Sequence, residues 1–440
     1  MAPSDMSFSQ SLVGQEGLMK KFCCLVVVIN LIGGGTSTAD ATATNRGGAV
    51  LENVEPNLPI VFLESKEPIV SDRKTPCGAR LVLPKGSEPA SPGVLSGLVR
   101  IRGASSQQYP KKSFGLTLAT PVRWLGMREN AHWVLNAAFV DRSLMRHKLS
   151  YDLFRSLSVS NSPRFAAASR FVELNLNGSY HGVYLLMERV NRAMLELRHY
   201  DSNASAHACM YKAVDHAANF DHFGHGGFEQ REPDPLTGEY WGPLDQFTRF
   251  VSSASEWEFF DPDHGIAARL NLDNAIDFHL LVLLTSNMDG SDKNLILARD
   301  APLQNGLQPP FFFVPWDYDA TFGRNWEASR VEPTAWLSNH LFDRLLSSAS
   351  YQKKFVMRWT HLRARQFSVQ NIQRLIDENA RTLGNAVNRN SIRWRTPEGP
   401  YPDRLTFEQD VAEMKEWVEA RVNWLDREIN RRSRLSANHQ

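Results

Sequence analysis

The chain has 440 residues, of which 42% are hydrophobic and 22% charged, a composition typical of a globular protein with a sizeable core. Its formal net charge at pH 7 is only +1, so it lacks the surplus of Lys and Arg that a general nucleic-acid or anionic-membrane binder needs. We therefore expect no nucleic-acid partner. The length fits either one large two-lobed domain or two to three domains of average size.

The N-terminal segment has the pattern of a secretory signal peptide. Lys20 and Lys21 precede an apolar run at 22–32, which is shorter than the roughly 20 residues needed to cross a bilayer. Small residues follow, and cleavage fits after Ala39 or after Ala41. We predict a signal region at 1–41 and a polar linker at 42–57.

Two alternatives remain for this segment. Translation could start at Met19, and the apolar run could instead be a buried helix or strand of the mature fold. No later apolar stretch is long enough to span a membrane, so we expect a secreted, periplasmic or surface protein without a transmembrane anchor in the mature chain.

Cysteine usage gives one open question. Cys23 and Cys24 lie in the predicted signal region, whereas Cys77 and Cys209 remain in the mature chain. In an oxidising compartment those two could form one disulfide, although the sequence leaves their proximity open. No Cys/His spacing indicates zinc.

The first half of the mature chain reads as β-rich. Asn177–Gly178 is typical of a type I′ turn, so the flanking runs predict a hairpin. Asp141 is in a position to cap a helix that ends near residue 156. The predicted strands lie at 58–63, 79–83, 98–102, 112–118, 171–176 and 180–187.

The second half reads as mainly helical. A long apolar helix at 273–286 precedes a predicted strand pair at 295–299 and 311–314, and helical periodicity follows over 341–429. We predict an α+β fold with a β-rich N-terminal lobe at 58–191, a mainly helical C-terminal lobe at 192–440 and a cleft between them.

Polar residues follow the apolar helix and the second strand of the pair. Asp289 and Asn294 have the D-x-x-x-x-N spacing of a kinase catalytic loop, and Asp317 and Asp319 follow one hairpin later. Phosphoryl transfer needs a carboxylate that accepts the hydroxyl proton, and oxygen ligands that hold a metal ion against the ATP phosphates. The alternative is that these are ordinary turn residues and solvated acids.

Five ordered motifs resemble the CotH kinase family. The two strongest are N-x-D-G-x-x-x-N at 287–294 and W-D-x-D-x-x-F-G at 316–323. The others are R-G-x-S-S at 102–106 with K-K-S-F at 111–114, W-V-L at 133–135 with Asp141 and Arg146, and N-G-x-x-x-G-x-Y-L-L-x-E at 177–188. The resemblance runs from about Leu58 to Ile429 and includes R-x-x-W-L-D at 421–426.

The resemblance implies an atypical, bilobal, kinase-like enzyme that uses ATP with Mg²⁺ or Mn²⁺ to phosphorylate Ser or Thr of secreted or surface proteins. Carried over by position, Asp289 is the catalytic aspartate, and Asn294, Asp317 and Asp319 are metal ligands. The implied ATP contacts are Lys112, Lys111, Arg102, Ser105, Ser106 and Glu188. Strand alternation places Lys112 on the apolar face with Phe114, which favours Lys112 over Lys111.

The chain departs from ordinary protein kinases. It has no G-x-G-x-x-G loop and no His-Arg before Asp289. The helix predicted after Asp141 has no central Glu to orient the lysine, so Glu173 and Glu188 are the alternatives. Two rival interpretations are a non-catalytic surface or coat module on the same fold and a nucleotide enzyme that transfers AMP.

Overall fold

The computed structural model describes residues 56–84, 93–204, 206–394 and 405–437. The predicted signal region and nearly all of the predicted linker lie outside the described residues. Within them, strands dominate up to Glu188 and helices dominate afterwards, which confirms the predicted α+β class.

Seven strands form a closed barrel in the order β1-β2-β3-β4-β5-β7-β6. They are β1 Ile60–Glu64, β2 Thr75–Val82, β3 Leu95–Arg102, β4 Ser113–Val122, β5 Asn130–Asn136, β6 Ser169–Leu176 and β7 Ser179–Glu188. Neighbouring strands are antiparallel, except that β1 closes the barrel by pairing in parallel with β6. Alternate residues of each strand point inward and form a core of their own, including Val61, Leu81, Val99, Phe114 and Leu174.

The predicted hairpin is confirmed as β6–β7. Asn177 and Gly178 both have positive φ, 49° and 80°, as a type I′ turn requires. Every residue from Val183 to Met187 is buried because alternate side chains enter different cores. Tyr184 and Leu186 lie inside the barrel, while their neighbours pack against the helical part. This explains the continuous apolar run.

A second, four-stranded sheet has the order β11-β10-β8-β9. Its strands are β8 Cys209–Ala213, β9 Phe228–Glu232, β10 Leu295–Arg299 and β11 Phe312–Pro315. The predicted strand pair is therefore confirmed as β10–β11, and β8 and β9 extend it. Cys77 lies in the barrel core and Cys209 in the larger core, and both are free, so no disulfide joins them.

Nine α-helices lie in the described ranges. They are α1 Arg146–Arg155, α2 Gly242–Ser253, α3 Glu256–Phe259, α4 Leu272–Thr285, α5 His340–Ser347, α6 Ala349–Arg363, α7 Val369–Leu383, α8 Ala386–Arg393 and α9 Phe407–Ala437. The predicted capping position of Asp141 is wrong, because α1 begins at Arg146 and Met145 is its N-terminal cap residue. The Asp141 carboxylate accepts hydrogen bonds from the backbone amides of Ser143, in the turn before the helix, and of Arg146, the first residue of α1.

Buried charged side chains join α9 and α8 to the rest of the protein. Arg146 of α1 makes two hydrogen bonds to Asp410 of α9, at 2.6 and 2.9 Å, and a third, from Nε, to the Thr321 carbonyl at 2.9 Å. Arg389 of α8 pairs in bidentate fashion with Glu173 of β6, with both distances 2.8 Å. These pairs fix the segment after β11 and the barrel against the C-terminal helices.

Candidate active site

The backbone of Asp317 is held in a left-handed conformation two residues after the end of β11. Its φ is 57°, which few residues adopt, although Asp is among those that tolerate it. Three side chains hold this conformation. The amide of Asp317 donates to the Tyr151 hydroxyl at 3.1 Å, and its carbonyl accepts from the side-chain amides of Asn287 at 3.2 Å and Asn294 at 3.0 Å. The two predicted signature segments are thereby brought together.

A group of three possible metal ligands lies at this point. One ligand atom each from His147, Asp317 and Asp319 lies within 4.8 Å of the others. His147 is in the first turn of α1, and its Nε2 lies 3.6 Å from Asp317 Oδ1. The His147 side chain is 7% exposed, whereas that of Asp317 is 52% exposed and therefore reachable from solvent.

The charges of this group fit a divalent cation. Burial raises the pKa of Asp319 well above its usual value, and the neighbouring carboxylates of Asp317 and Asp141 raise it further. Such clustering of carboxylates is unfavourable without a cation, and carboxylate oxygen with imidazole nitrogen is a donor set that divalent metals accept. The group therefore suits a metal ion.

Asn294 contacts this group through its backbone partner. The side-chain nitrogen Nδ2 of Asn294 donates a hydrogen bond to the Asp317 carbonyl, so the side-chain oxygen Oδ1 is the atom available as a metal ligand. His147 was not predicted from the sequence, because it lies 170 positions before Asp317 and no local motif marks it.

The Asp289 loop follows α4, whose end is marked by Ser286 with a φ of 51°. The backbone amides of Lys293 and Asn294 both donate to the Asp289 carbonyl, at 2.8 and 2.9 Å, and so close the loop into a tight turn. The Asp289 carboxylate is 18% exposed. It lies 3.6 Å from Lys293 Nζ and 3.7 Å from His216 Nε2.

His216 connects two acids of this loop. Its Nδ1 lies 3.1 Å from Asp292 Oδ1, while its other nitrogen faces Asp289. His216 belongs to a short 3-10 turn after β8, and the sequence reasoning did not single it out. Asp292 is consequently coupled to Asp289 through one imidazole.

Two cations lie over Trp316, next to Asp317. Lys212 Nζ of β8 is 4.7 Å from the centroid of the Trp316 ring, and the guanidinium carbon of Arg102 is 5.7 Å from it. Burial lowers the pKa of both side chains, and the negative charge of Asp317 opposes that lowering. Arg102 was predicted from sequence, whereas Lys212 was missed because its strand was not recognised.

The two predicted ATP-binding lysines contact the barrel backbone. Lys111 is the buried one of the pair. Its Nζ donates to the Val183 carbonyl and, at 3.0 Å, to Asn390 Oδ1, and burial lowers its pKa to about 7. Lys112 is half-buried and donates to the carbonyls of Gln107 and Tyr109. The expected alternation fails here because β4 begins only at Ser113.

The remaining predicted ATP contacts also lie in the barrel. Ser105 and Ser106 are exposed in the 3-10 turn Ser105–Gln108. The buried carboxylate of Glu188 accepts from the backbone amides of Arg128 at 3.0 Å and Ala168 at 3.1 Å. The described contacts of Glu173 and Glu188 thus involve arginine, tyrosine and backbone groups, not a lysine.

Comparison with known proteins identifies the family. The model of the family described as CotH kinase protein matches residues 99–425. The chain belongs to this family. Among curated proteins, the inner spore coat protein H of Bacillus subtilis (strain 168) is 28% identical over 270 residues, which cover 58% of this chain and 68% of that protein.

Several motif residues of this CotH-family chain have structural roles. At Gly182, where φ is 92°, an added Cβ would lie 2.5 Å from Asn390 Oδ1 of α8. At Gly323, with φ of 91°, it would lie 2.9 Å from the Trp417 ring of α9. Both positions need glycine because a helix approaches the backbone closely.

Arg421, the first residue of the R-x-x-W-L-D motif at 421–426, has a structural role in this CotH-family chain. Its buried guanidinium donates to the carbonyl of Leu283 in the last turn of α4, where a cation offsets unpaired carbonyl groups. It also donates to the Pro333 and Ala335 carbonyls at 2.8 and 2.7 Å. Among the described residues, no helix combines the length and the apolar character that a bilayer span requires.

Proposed function

We propose that this CotH-family protein is an ATP-dependent kinase that phosphorylates Ser or Thr side chains of proteins. The observation that carries the proposal is the pair of hydrogen bonds, called here the joint, that links the loop at 287–294 to the Asp317 carbonyl. Because Asn287 and Asn294 both donate to the Asp317 carbonyl, a candidate base and a candidate metal centre are held by one hydrogen-bonded unit. Phosphoryl transfer depends mainly on such positioning and on charge neutralisation.

In this proposal Asp289 accepts the proton of the attacking hydroxyl group. Its backbone is fixed by the turn at 289–294, and its carboxylate remains partly exposed to an incoming substrate. Asp317 and Asp319 hold the metal ion with the side-chain oxygen of Asn294. That ion, when bound, neutralises charge on the ATP phosphates. Lys293 and His216 orient the Asp289 carboxylate.

Arg102 and Lys212 bind the phosphates in the same proposal. Both carry positive charge beside Asp317, whereas Lys111 and Lys112 use their ammonium groups on backbone carbonyls. We therefore prefer Lys212 to the two lysines suggested by sequence. The exposed serines at 105 and 106 contribute backbone and hydroxyl donors, and the end of β7 near Glu188 lies against the adenine.

The fold proposed for this activity is kinase-like and bilobal, with the barrel as one lobe and the helices with the four-stranded sheet as the other. The named relative is an inner spore coat protein, which supports a secreted or surface-associated location and an acceptor of the same kind. The acceptor class is a Ser- or Thr-containing protein of that compartment.

A direct experiment tests this function. The full chain is incubated with ATP and either Mg²⁺ or Mn²⁺, alone and with casein as a general acceptor, and intact masses are measured. We expect addition of phosphoryl groups that requires metal and Asp289. Addition of an adenylyl group would instead favour AMP transfer. Unchanged masses of both the chain and casein would oppose both activities.

The second candidate is a non-catalytic coat or assembly module on the same fold. The observation that favours it is the name of the relative, which describes a coat protein. Retention of function in a coat-assembly assay by an Asp289→Asn variant, together with absence of transfer in the wild-type protein, would support it.

A further inference from the structure

The His147 side chain is a buried imidazole without a hydrogen-bond partner among the described residues. Its Nδ1 is fully buried and unpaired. Its Nε2 lies 3.6 Å from Asp317 Oδ1, beyond ordinary hydrogen-bond distance. A buried imidazole that makes no hydrogen bond is unfavourable, and a cation shared with the two carboxylates would give one of its nitrogens a partner.

The surroundings of His147 direct this ring toward the carboxylates. Tyr151, one turn later on α1, contacts the ring edge-on with centroids 5.4 Å apart, and the Tyr151 hydroxyl accepts from the Asp317 amide. One helical face therefore positions the imidazole and fixes the backbone of its carboxylate neighbour. The ring is part of a built site and not a lone surface histidine.

The distances in the group fit one shared cation. Metal–oxygen and metal–nitrogen bonds of about 2.0–2.2 Å place ligand atoms of an octahedral ion about 3 Å apart when adjacent and about 4.2 Å when opposite. The 3.6 Å between His147 Nε2 and Asp317 Oδ1 lies between these two values. The bound of 4.8 Å on the whole group is slightly wider than the larger value, so binding draws the ligand atoms a little closer together.

We propose that His147, Asp317 and Asp319 form a mixed nitrogen–oxygen centre that binds a divalent first-row transition ion, represented by Mn²⁺, in preference to Mg²⁺ and without nucleotide. Magnesium takes oxygen ligands almost exclusively, whereas imidazole nitrogen favours the transition ions. This inference deepens the proposed function by naming the class of its metal ion. It rests on the metal centre of that function and not on phosphoryl transfer.

The first test measures binding to the full chain without ATP. Electron paramagnetic resonance of free Mn²⁺ gives the Mn²⁺ affinity, and competition by Mg²⁺ gives the ratio of the two dissociation constants. In His147→Gln we expect this ratio to fall by about tenfold or more, because the nitrogen ligand is lost while both carboxylates remain. His132→Gln is the matched control, since that half-buried ring on β5 contacts Thr117 and lies outside the ligand group.

The second test needs no substitution and so is independent of how the variant folds. Pulsed electron paramagnetic resonance of bound Mn²⁺ detects coupling to a directly ligated nitrogen. We expect a nitrogen signal that changes frequency when the chain is labelled with ¹⁵N-histidine. Mn²⁺ bound without that signal, an unchanged ratio in folded His147→Gln, or no Mn²⁺ binding would each overturn the inference. A histidine signal without any phosphoryl transfer would leave the inference standing and count only against the proposed kinase.

Discussion

The side-chain amide of Asn294 donates to the backbone carbonyl of Asp317 across 3.0 Å. Asn294 ends the loop that begins after α4, and Asp317 follows the last strand of the four-stranded sheet. Because this bond and its neighbour from Asn287 converge on one carbonyl, a change in either segment displaces the other. The predictions on Asp317 and Asp289 follow from this joint.

Asp317→Asn should abolish metal-dependent stabilisation by ATP while leaving the unliganded protein as stable as before. Asparagine keeps the size of the side chain and tolerates positive φ, whereas alanine would add about 1–2 kcal/mol of backbone strain. The measurement is thermal unfolding with and without ATP and Mn²⁺. The same ligand-induced rise in melting temperature in both proteins would remove Asp317 from the metal centre.

Asp289→Asn should keep metal and ATP binding but reduce phosphoryl transfer on the order of a hundredfold or more, because an amide cannot accept the hydroxyl proton. Asp292 is an unsuitable control since it shares His216 with Asp289. Asp245→Asn is a better one. Asp245 also pairs with a histidine, His225, and its side chain is 28% exposed, against 18% for Asp289.

The Asp289 comparison has a clear adverse outcome. If Asp245→Asn and Asp289→Asn transferred phosphate at the same rate in a quenched time course, Asp289 would have no role as a base. An intermediate loss in Asp292→Asn is expected through His216.

Lys212→Met should weaken ATP binding by roughly tenfold or more, since a hydrogen bond to a charged group contributes about 1.5–3 kcal/mol. Isothermal titration with ATP and Mn²⁺ measures this change. Lys112→Met serves as the comparison, because its ammonium group already binds the carbonyls of Gln107 and Tyr109. A larger loss of affinity in Lys112→Met than in Lys212→Met would favour Lys112, the lysine preferred from sequence, as the phosphate ligand.

Arg146→Met should lower the free energy of unfolding by about 3–5 kcal/mol, because it leaves the buried carboxylates of Asp141 and Asp410 without this partner. Urea unfolding measures the loss. Arg73→Met is the control, since Arg73 is 62% exposed and its pair with Glu67 should contribute less than about 1 kcal/mol. Equal small losses in both variants would show that the Arg146 cluster does not stabilise the fold.

The stability of the protein should rise with pH above 7 through Lys111. The pKa of Lys111 is about 7 in the folded state, below the ordinary value of 10.5, so between those values the unfolded chain binds more protons. Below pH 7 the folded protein carries the full free-energy cost of burying the charged Lys111 ammonium group, and this cost falls as the group loses its proton at higher pH. Urea unfolding between pH 6 and 9 should therefore show a flatter pH dependence in Lys111→Met than in wild type or Lys112→Met. If the unfolding free energies of wild type and Lys111→Met changed with pH in parallel, this assignment of the pH dependence to Lys111 would be wrong.

Local sequence signals predicted the elements that local chemistry determines. The Asn177–Gly178 turn and the strand at 295–299 needed only neighbouring residues to be recognised. The cap of α1 was predicted too early because the Asp141 carboxylate reaches the Arg146 amide across an intervening turn, in which it also accepts from the Ser143 amide, and pairs with the Arg146 guanidinium.

The parts of the candidate site that sequence missed depend on contacts between distant segments. His147 meets Asp317 only because α1 packs beside the end of β11, and Lys212 reaches Trp316 only through the pairing of β8 with β10. The strand alternation used to prefer Lys112 over Lys111 does not hold, for a related reason. A strand pattern was extended two residues before the strand begins, at a point where α8 covers the chain.

The parallel pairing of β1 with β6 has a consequence for the order of folding. Ile60 lies opposite Glu173, more than a hundred residues later in the chain, so the barrel closes by joining the two paired strands that are furthest apart in the chain. Forming such a contact loses the configurational freedom of the whole intervening loop, and topologies rich in these contacts fold slowly. We expect closure of the barrel to be a late step in folding, in which β1 pairs with β6 only after the β6–β7 hairpin has formed.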